Sequence, residues 1–219
     1  MWKIIIVNII LLGPPGAGKG TQAQLIVKNH NYFQLSTGDL LRAEIKKKTK
    51  IGEVIENLIS KGNFVSDEIV EDLIKSTIKN LKFRDRIIFD GYPRNVIQAK
   101  KLDEIVGHFS QKIDLIIFLN VSRDIVKKRI MGRMTCEKCN VTLNEYFNVE
   151  EIELHPCGKE FLKKRKDDKE EILMHRYDTY MNETKPVLDF YANHDKFNEL
   201  DGAMKMSEIS NKINEILNV

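Results

Sequence analysis

The chain has 219 residues, 42% hydrophobic and 31% charged, with a formal net charge of +3. That balance suits one sizeable globular core carrying insertions, or two small domains, and the charge alone does not imply a nucleic-acid partner. No apolar run approaches the roughly 20 residues that a membrane helix needs.

Residues 1–8 are apolar, with one basic residue and no small-residue cleavage site, and they run straight into the next motif. They read as strand and not as a secretion signal, so the cytoplasm is the expected compartment. Five apolar runs predict strands: part of residues 4–12, then 32–35, 86–90, 114–121 and 196–200. Helical periodicity marks 22–28, 51–59, 69–81 and 96–106, and Ile209, Ile213 and Ile216 line a final amphipathic helix. Alternating strands and helices predict an α/β fold: a five-stranded parallel sheet with helices on both faces. Functional residues should collect beyond the carboxyl ends of its strands.

The glycine-rich turn over residues 13–21 follows the first strand and opens a helix, the context of a phosphate-binding loop. Gly13, Gly16, Gly18 and Gly20 let successive N–H groups, with Ala17 between them, curl inward around phosphate oxygens. The helix dipole adds to the same spot, Lys19 supplies a full charge, and the Thr21 hydroxyl lies near a Mg²⁺ position. Ser36 reads as a helix cap with Asp39 three residues on, and Arg42 stands a turn inside that helix, where a guanidinium can fork onto phosphate. Asp90 closes a buried strand, which is costly unless it meets charge or donors; facing the phosphate loop, it is the best candidate for holding Mg²⁺. Arg129 and Arg133 share one helical face. Arg165, with Asp167 and Asp168 close behind, and then Arg176 extend the cationic set.

These stretches resemble adenylate kinases, in family order along essentially the whole chain. The carriers are GPPGAGKGT at 13–21, STGD-x-x-R at 36–42, DGYPR at 90–94 with Gln98, R-x-x-G-R at 129–133 and R-x-DD-x-x-E at 165–171. The resemblance implies a P-loop NTPase core with an AMP-binding insertion and a lid, divided 1–35, 36–65, 66–131, 132–168 and 169–219, in a monomer. It implies transfer of a phosphoryl group from Mg·ATP to AMP, giving two ADP. ATP would lie on the 13–21 loop, with Arg129 and Arg133 at its phosphates and Met204 bordering its base. AMP would meet Thr37, Arg42, Asn63, Phe64, Val65, Gly91, Tyr92, Pro93, Arg94 and Gln98, with Arg165 and Arg176. Lys19, Arg94, Arg129, Arg133, Arg165 and Arg176 would form the catalytic set, and Asp167 and Asp168 would orient its arginines. Related UMP/CMP kinases carry Ala and Asn where Thr37 and Gln98 stand, so AMP is the expected acceptor.

Cys136, Cys139 and Cys157 all lie between Arg133 and Arg165, in the stretch matching the lid of long-form adenylate kinases. Paired cysteines at this spacing read as metal ligands, and structural zinc needs a fourth donor. Glu160 stands at the C-x-x-[CD] position of zinc-bearing lids; His155 is the other candidate. His30, His108, His175 and His194 lack ligand-like company and read as surface or packing residues. A zinc-ribbon module for nucleic acid is the competing class, disfavoured because Glu145, Glu150, Glu151 and Glu153 surround the aromatic pair Tyr146 and Phe147.

Overall fold

In the computed structural model, which describes residues 7–82, 84–165 and 168–217, the first half of the chain alternates strand and helix as its periodicity predicts. It contains β1 (Ile9–Leu12), α1 (Lys19–His30), β2 (Phe33–Ser36), α2 (Thr37–Lys46), α3 (Lys50–Ser60), α4 (Asp67–Asn80), β3 (Ile87–Asp90) and α5 (Val96–Gly107). The second half continues with β4 (Leu115–Asn120), α6 (Arg123–Met131), β5 (Arg133–Cys136), β6 (Thr142–Asn144), α7 (Val149–Glu153) and β7 (Leu162–Lys163). It closes with α8 (Glu170–Thr179), α9 (Pro186–Tyr191), β8 (Phe197–Asp201) and α10 (Met206–Leu217). Ile4, Ile5 and Ile6 of the first predicted strand, and Asp167, lie outside the described residues.

The main sheet runs β2-β3-β1-β4-β8, with every pairing parallel. Its three inner strands, β3, β1 and β4, are apolar on both faces, as a sheet covered by helices on both sides requires. Ile10, Leu12, Ile87 and Phe89 point into one apolar cluster with Leu41, Ile55, Ile74, Leu102 and Val187 from α2, α3, α4, α5 and α9. Ile9, Leu11, Ile88 and Ile117 point the other way, against Ala23, Val126, Leu173 and Ile213 from α1, α6, α8 and α10. The expected α/β fold, with helices on both faces of a five-stranded parallel sheet, is therefore the fold observed. Because all five strands run the same way, Leu12, Ser36, Asp90, Asn120 and Asp201 end on one edge of the sheet, and the cleft opens there.

A second, antiparallel sheet, β6-β5-β7, stands apart from the first. No apolar run marks it in the sequence: its members, RMTC, TLN and LK, are short and mostly polar, unlike β1, β3 and β4. Among the described helices, none is long and apolar enough to cross a membrane.

Candidate active site

The loop between β1 and α1 is shaped by its glycines. Gly16 has φ +75°, and a Cβ there would lie 2.8 Å from Ile130 Cγ1, so no other residue fits this approach to α6. The Lys19 ammonium folds back onto the loop, donating to the carbonyls of Gly13 at 2.7 Å and Pro14 at 3.0 Å. Burial lowers its pKa to about 8; Asp90 pulls it back up, while Arg94 and Arg133 lower it further.

Asp90 sits in β3 beside β1, paired with Leu11. Its Oδ2 lies 3.4 Å from where a Cβ would stand on Gly20, so the carboxylate abuts the first turn of α1, facing the loop as expected. Burial raises its pKa above the usual carboxylate range, against the charge of Lys19 and a 2.9 Å hydrogen bond from Gln34 Nε2. Sequence reasoning missed Gln34, whose only relation to Asp90 is the parallel pairing of β2 with β3.

Around the loop the cations gather. Burial, then the charge of Arg176, lowers Arg94 to about 10, and Arg42 also contributes. Arg94 Nε donates to the Gly91 carbonyl at 2.8 Å, and its guanidinium lies 5.0 Å from the centre of the Phe64 ring. Arg129 donates to the Ala17 carbonyl at 3.1 Å, which ties α6 to the loop. Arg133 opens β5, past the end of α6, so it does not share a helical face with Arg129 as expected; it grips Asp168 through Nε, at 2.9 Å, and through Nη2. Arg42 pairs with Asp39 at 2.5 Å, so Asp39 holds an arginine while its N–H takes the Ser36 cap. Arg165 and Arg176 line the same cleft.

The cleft holds about 1730 Å³. A pocket for one drug-sized ligand has roughly 300–1,000 Å³, so there is room for two nucleotides. Gly13, Thr21, Asn63, Phe64, Val65, Gly91, Pro93 and Met204 line it too. Thr37, Tyr92 and Gln98 do not; they stand behind it, only 2%, 1% and 2% exposed, around a small recess shared with Phe64 and Val65. Thr37 Oγ1 donates to the Gly91 carbonyl at 2.9 Å. Gln98 accepts from the Arg94 N–H at 2.7 Å and donates to Asp67 Oδ1 at 2.6 Å. Asp67, the first residue of α4, thus fixes a side chain 31 residues away, a link without a local signal.

The cysteines converge as expected, but the fourth partner is His155, a correction to the placement of Glu160. Cys136, Cys139, His155 and Cys157 present ligand atoms all within 4.8 Å of one another. Cys139 Sγ stands 3.5 Å from His155 Nε2; a tetrahedral zinc with ordinary bond lengths implies about 3.6 Å for that edge. Glu160 lies in a 3₁₀ turn over Lys159–Phe161, begun by Gly158 at φ +96°, and its carboxylate folds back on Gly158 outside the group. Although burial opposes ionisation of the Cys136 thiol, hydrogen bonds involving Cys139, His155 and Lys138 bring it down to about 6. Cys157 is pushed up to about 11 by its hydrogen bond with Cys139 and by burial. Three thiolates so close repel one another, and a bound dication removes that obstacle, so the donor set fits structural zinc.

The sequence model of the adenylate kinase family matches residues 11–196. An adenylate kinase of Pelagibacter ubique is 69% identical, covering 97% of this chain and 100% of its own. The chain belongs to the adenylate kinase family. Adenylate kinases of Novosphingobium aromaticivorans and Thermosipho melanesiensis, 41% and 37% identical, also match nearly end to end, with 96% and 97% of this chain covered and 98% of each relative.

Proposed function

We propose that this chain transfers the γ-phosphoryl group of Mg·ATP to AMP, giving two ADP. The observation that carries the reading is the set of cations, Lys19, Arg42, Arg94, Arg129, Arg133, Arg165 and Arg176, that line one cleft with room for two nucleotides. These seven cations around one cleft attract a chain of phosphates, whose oxygens they can share and neutralise.

In this reading ATP lies on the 13–21 loop with its triphosphate at Lys19, Arg129 and Arg133, and Met204 borders its base. AMP lies beside Phe64, Val65 and Arg94, with Arg42, Arg165 and Arg176 at its phosphate. An AMP phosphate oxygen bonds to the γ-phosphorus as the bond to the β,γ-bridging oxygen breaks, leaving ADP on both sides. A phosphate acceptor is already anionic, so no general base is needed, and the side chains act by alignment and charge neutralisation. Lys19 exchanges its contacts with the loop carbonyls for phosphate oxygens. Asp168 keeps Arg133 aimed, and the Arg94 guanidinium stays in place through Gly91 and Phe64. Asp90 and Thr21 would hold the Mg²⁺ that accompanies ATP, which supplies further neutralisation of the phosphates; the buried carboxyl of Asp90 beside Gly20 fits that role. Segments 36–65 and 132–168 would close over both substrates and keep water from the γ-phosphate. Cys136, Cys139, His155 and Cys157 would hold structural zinc, outside the chemistry.

The same reading makes the protein a cytoplasmic monomer acting on free nucleotides. The acidic company of Tyr146 and Phe147 supports a role without nucleic acid. Lys19→Ala and Arg94→Ala test the site: each should lower turnover by about 10²–10³-fold or more, with unfolding temperature changed by only a few degrees. Near-normal turnover in both contradicts the assignment.

A further inference from the structure

Residues 62–65 join α3 to α4 and supply Asn63, Phe64 and Val65 to the cleft. The turn begins with α3 carbonyls, Ile59 accepting from Gly62 N–H and Leu58 from Asn63 N–H, each at 3.0 Å. It then rests on α8. Gly62 has φ +79°, and a Cβ there would stand 3.1 Å from His175 Cδ2, 3.3 Å from Ile172 Cγ2 and 3.4 Å from Arg176 Cγ. A residue with a side chain would be strained in this conformation and would push the turn off the helix. One residue further on, His175 Nε2 lies 2.9 Å from Asn63 Oδ1, a hydrogen bond between residues 112 apart in the chain. An amide oxygen only accepts, so the imidazole Nε2–H donates.

The consequence lies next door on both sides. Phe64 follows Asn63 and covers the Arg94 guanidinium, while Arg176 follows His175 and is the largest charge influence on Arg94. A contact that joins Asn63 to His175 therefore fixes the spacing of Phe64, Arg94 and Arg176. We infer that His175 is a positioning residue for the acceptor: it clasps Asn63 and holds residues 62–65 against α8, so that Phe64 and the two arginines face one acceptor nucleotide. The inference rests on the acceptor reading given above. His175 is exposed and touches no reacting atom in that reading, so its effect is on acceptor binding and not on chemistry.

The experiment is steady-state kinetics of His175→Ala, His175→Gln, Asn63→Ala and the double alanine variant, with each substrate varied in turn. One exposed hydrogen bond corresponds to a rise of about three- to fivefold in KM for AMP. For the two His175 variants, kcat and the KM for ATP should stay within about twofold, the pattern of lost uniform binding on one side only. His175→Gln places an amide N–H near the position of Nε2 and should restore most of the AMP affinity. The double variant should be no weaker than either single one, because both remove the same contact. An unchanged KM for AMP in His175→Ala, an equal rise for ATP, or additive effects in the double variant would overturn the clasp. Arg94→Ala run alongside separates the failures. If it leaves AMP use intact, the acceptor reading itself falls; if it cripples AMP use while His175→Ala is silent, only the clasp falls.

Discussion

Phe89, in the central part of the main sheet, is wholly buried and belongs to an apolar cluster fed by five helices. In the small sheet, by contrast, the described buried cluster consists of Cys136, Ile152 and Leu162, with Tyr146, Phe147, Val149 and Leu154 left exposed nearby. A segment of that size has too little apolar interior to hold itself together, and its remaining cohesion falls to the four metal-capable side chains. The difference separates two jobs. The core positions the 13–21 loop, Asp90 and Arg94 through packing of the main sheet and its helices. The small sheet has three strands of 4, 3 and 2 residues and touches the rest of the molecule through bonds such as Asn144 Nδ2 to the Arg129 carbonyl, at 2.7 Å.

That division can be broken most severely in the core. Phe89→Ala should cost about 3–5 kcal/mol of global stability in denaturant unfolding, with every probe of the molecule shifting together. Removing metal with a chelator, or replacing Cys139 by Ser, should instead speed amide exchange across residues 133–163 by on the order of a hundredfold or more. Protection in β1, β3 and β4 should persist. Loss of core protection on chelation would show that the two regions are one cooperative unit.

Smaller effects sharpen the contrast. Lys19 titrates near 8 in the empty protein, below its ordinary value of 10.5. ATP binding above that pH must take up a proton, so apparent affinity should fall about tenfold per pH unit, and Lys19→Arg should remove the fall. The sign for stability is opposite: between about 8 and 10.5 the unfolded chain holds a proton the folded one has released, so stability contributed by this group rises with pH. Least of all, Glu160→Gln should change zinc affinity by less than about twofold, whereas His155→Ala removes a ligand and should weaken it strongly; competition with a chromophoric chelator reads both.

The core was legible because its physics is local in sequence. Runs such as Ile9–Leu12 and Leu115–Leu119, short, apolar on both faces and alternating with helical periodicity, read as buried strands. The glycine turn and the arginine-bearing motifs line one cleft, although Arg133 stands in β5 and not on the helical face of Arg129. The lid strands were too short to read, and the fourth metal partner depended on how the chain turns at Gly158, which no spacing rule encodes. The supports for the site were equally hidden. Gln34 reaches Asp90 across 56 residues, Asp67 reaches Gln98 across 31, and His175 reaches Asn63 across 112. Each pairing exists only because the fold brings distant elements together.

The most direct test of the central claim is phosphoryl transfer from Mg·ATP to AMP, CMP, UMP and GMP, followed as nucleoside diphosphate formation. Efficient transfer to AMP with strong selectivity over the other three is the predicted result. Preference for CMP or UMP would contradict the role given to Thr37 and Gln98, and absence of transfer to any acceptor would contradict the account as a whole.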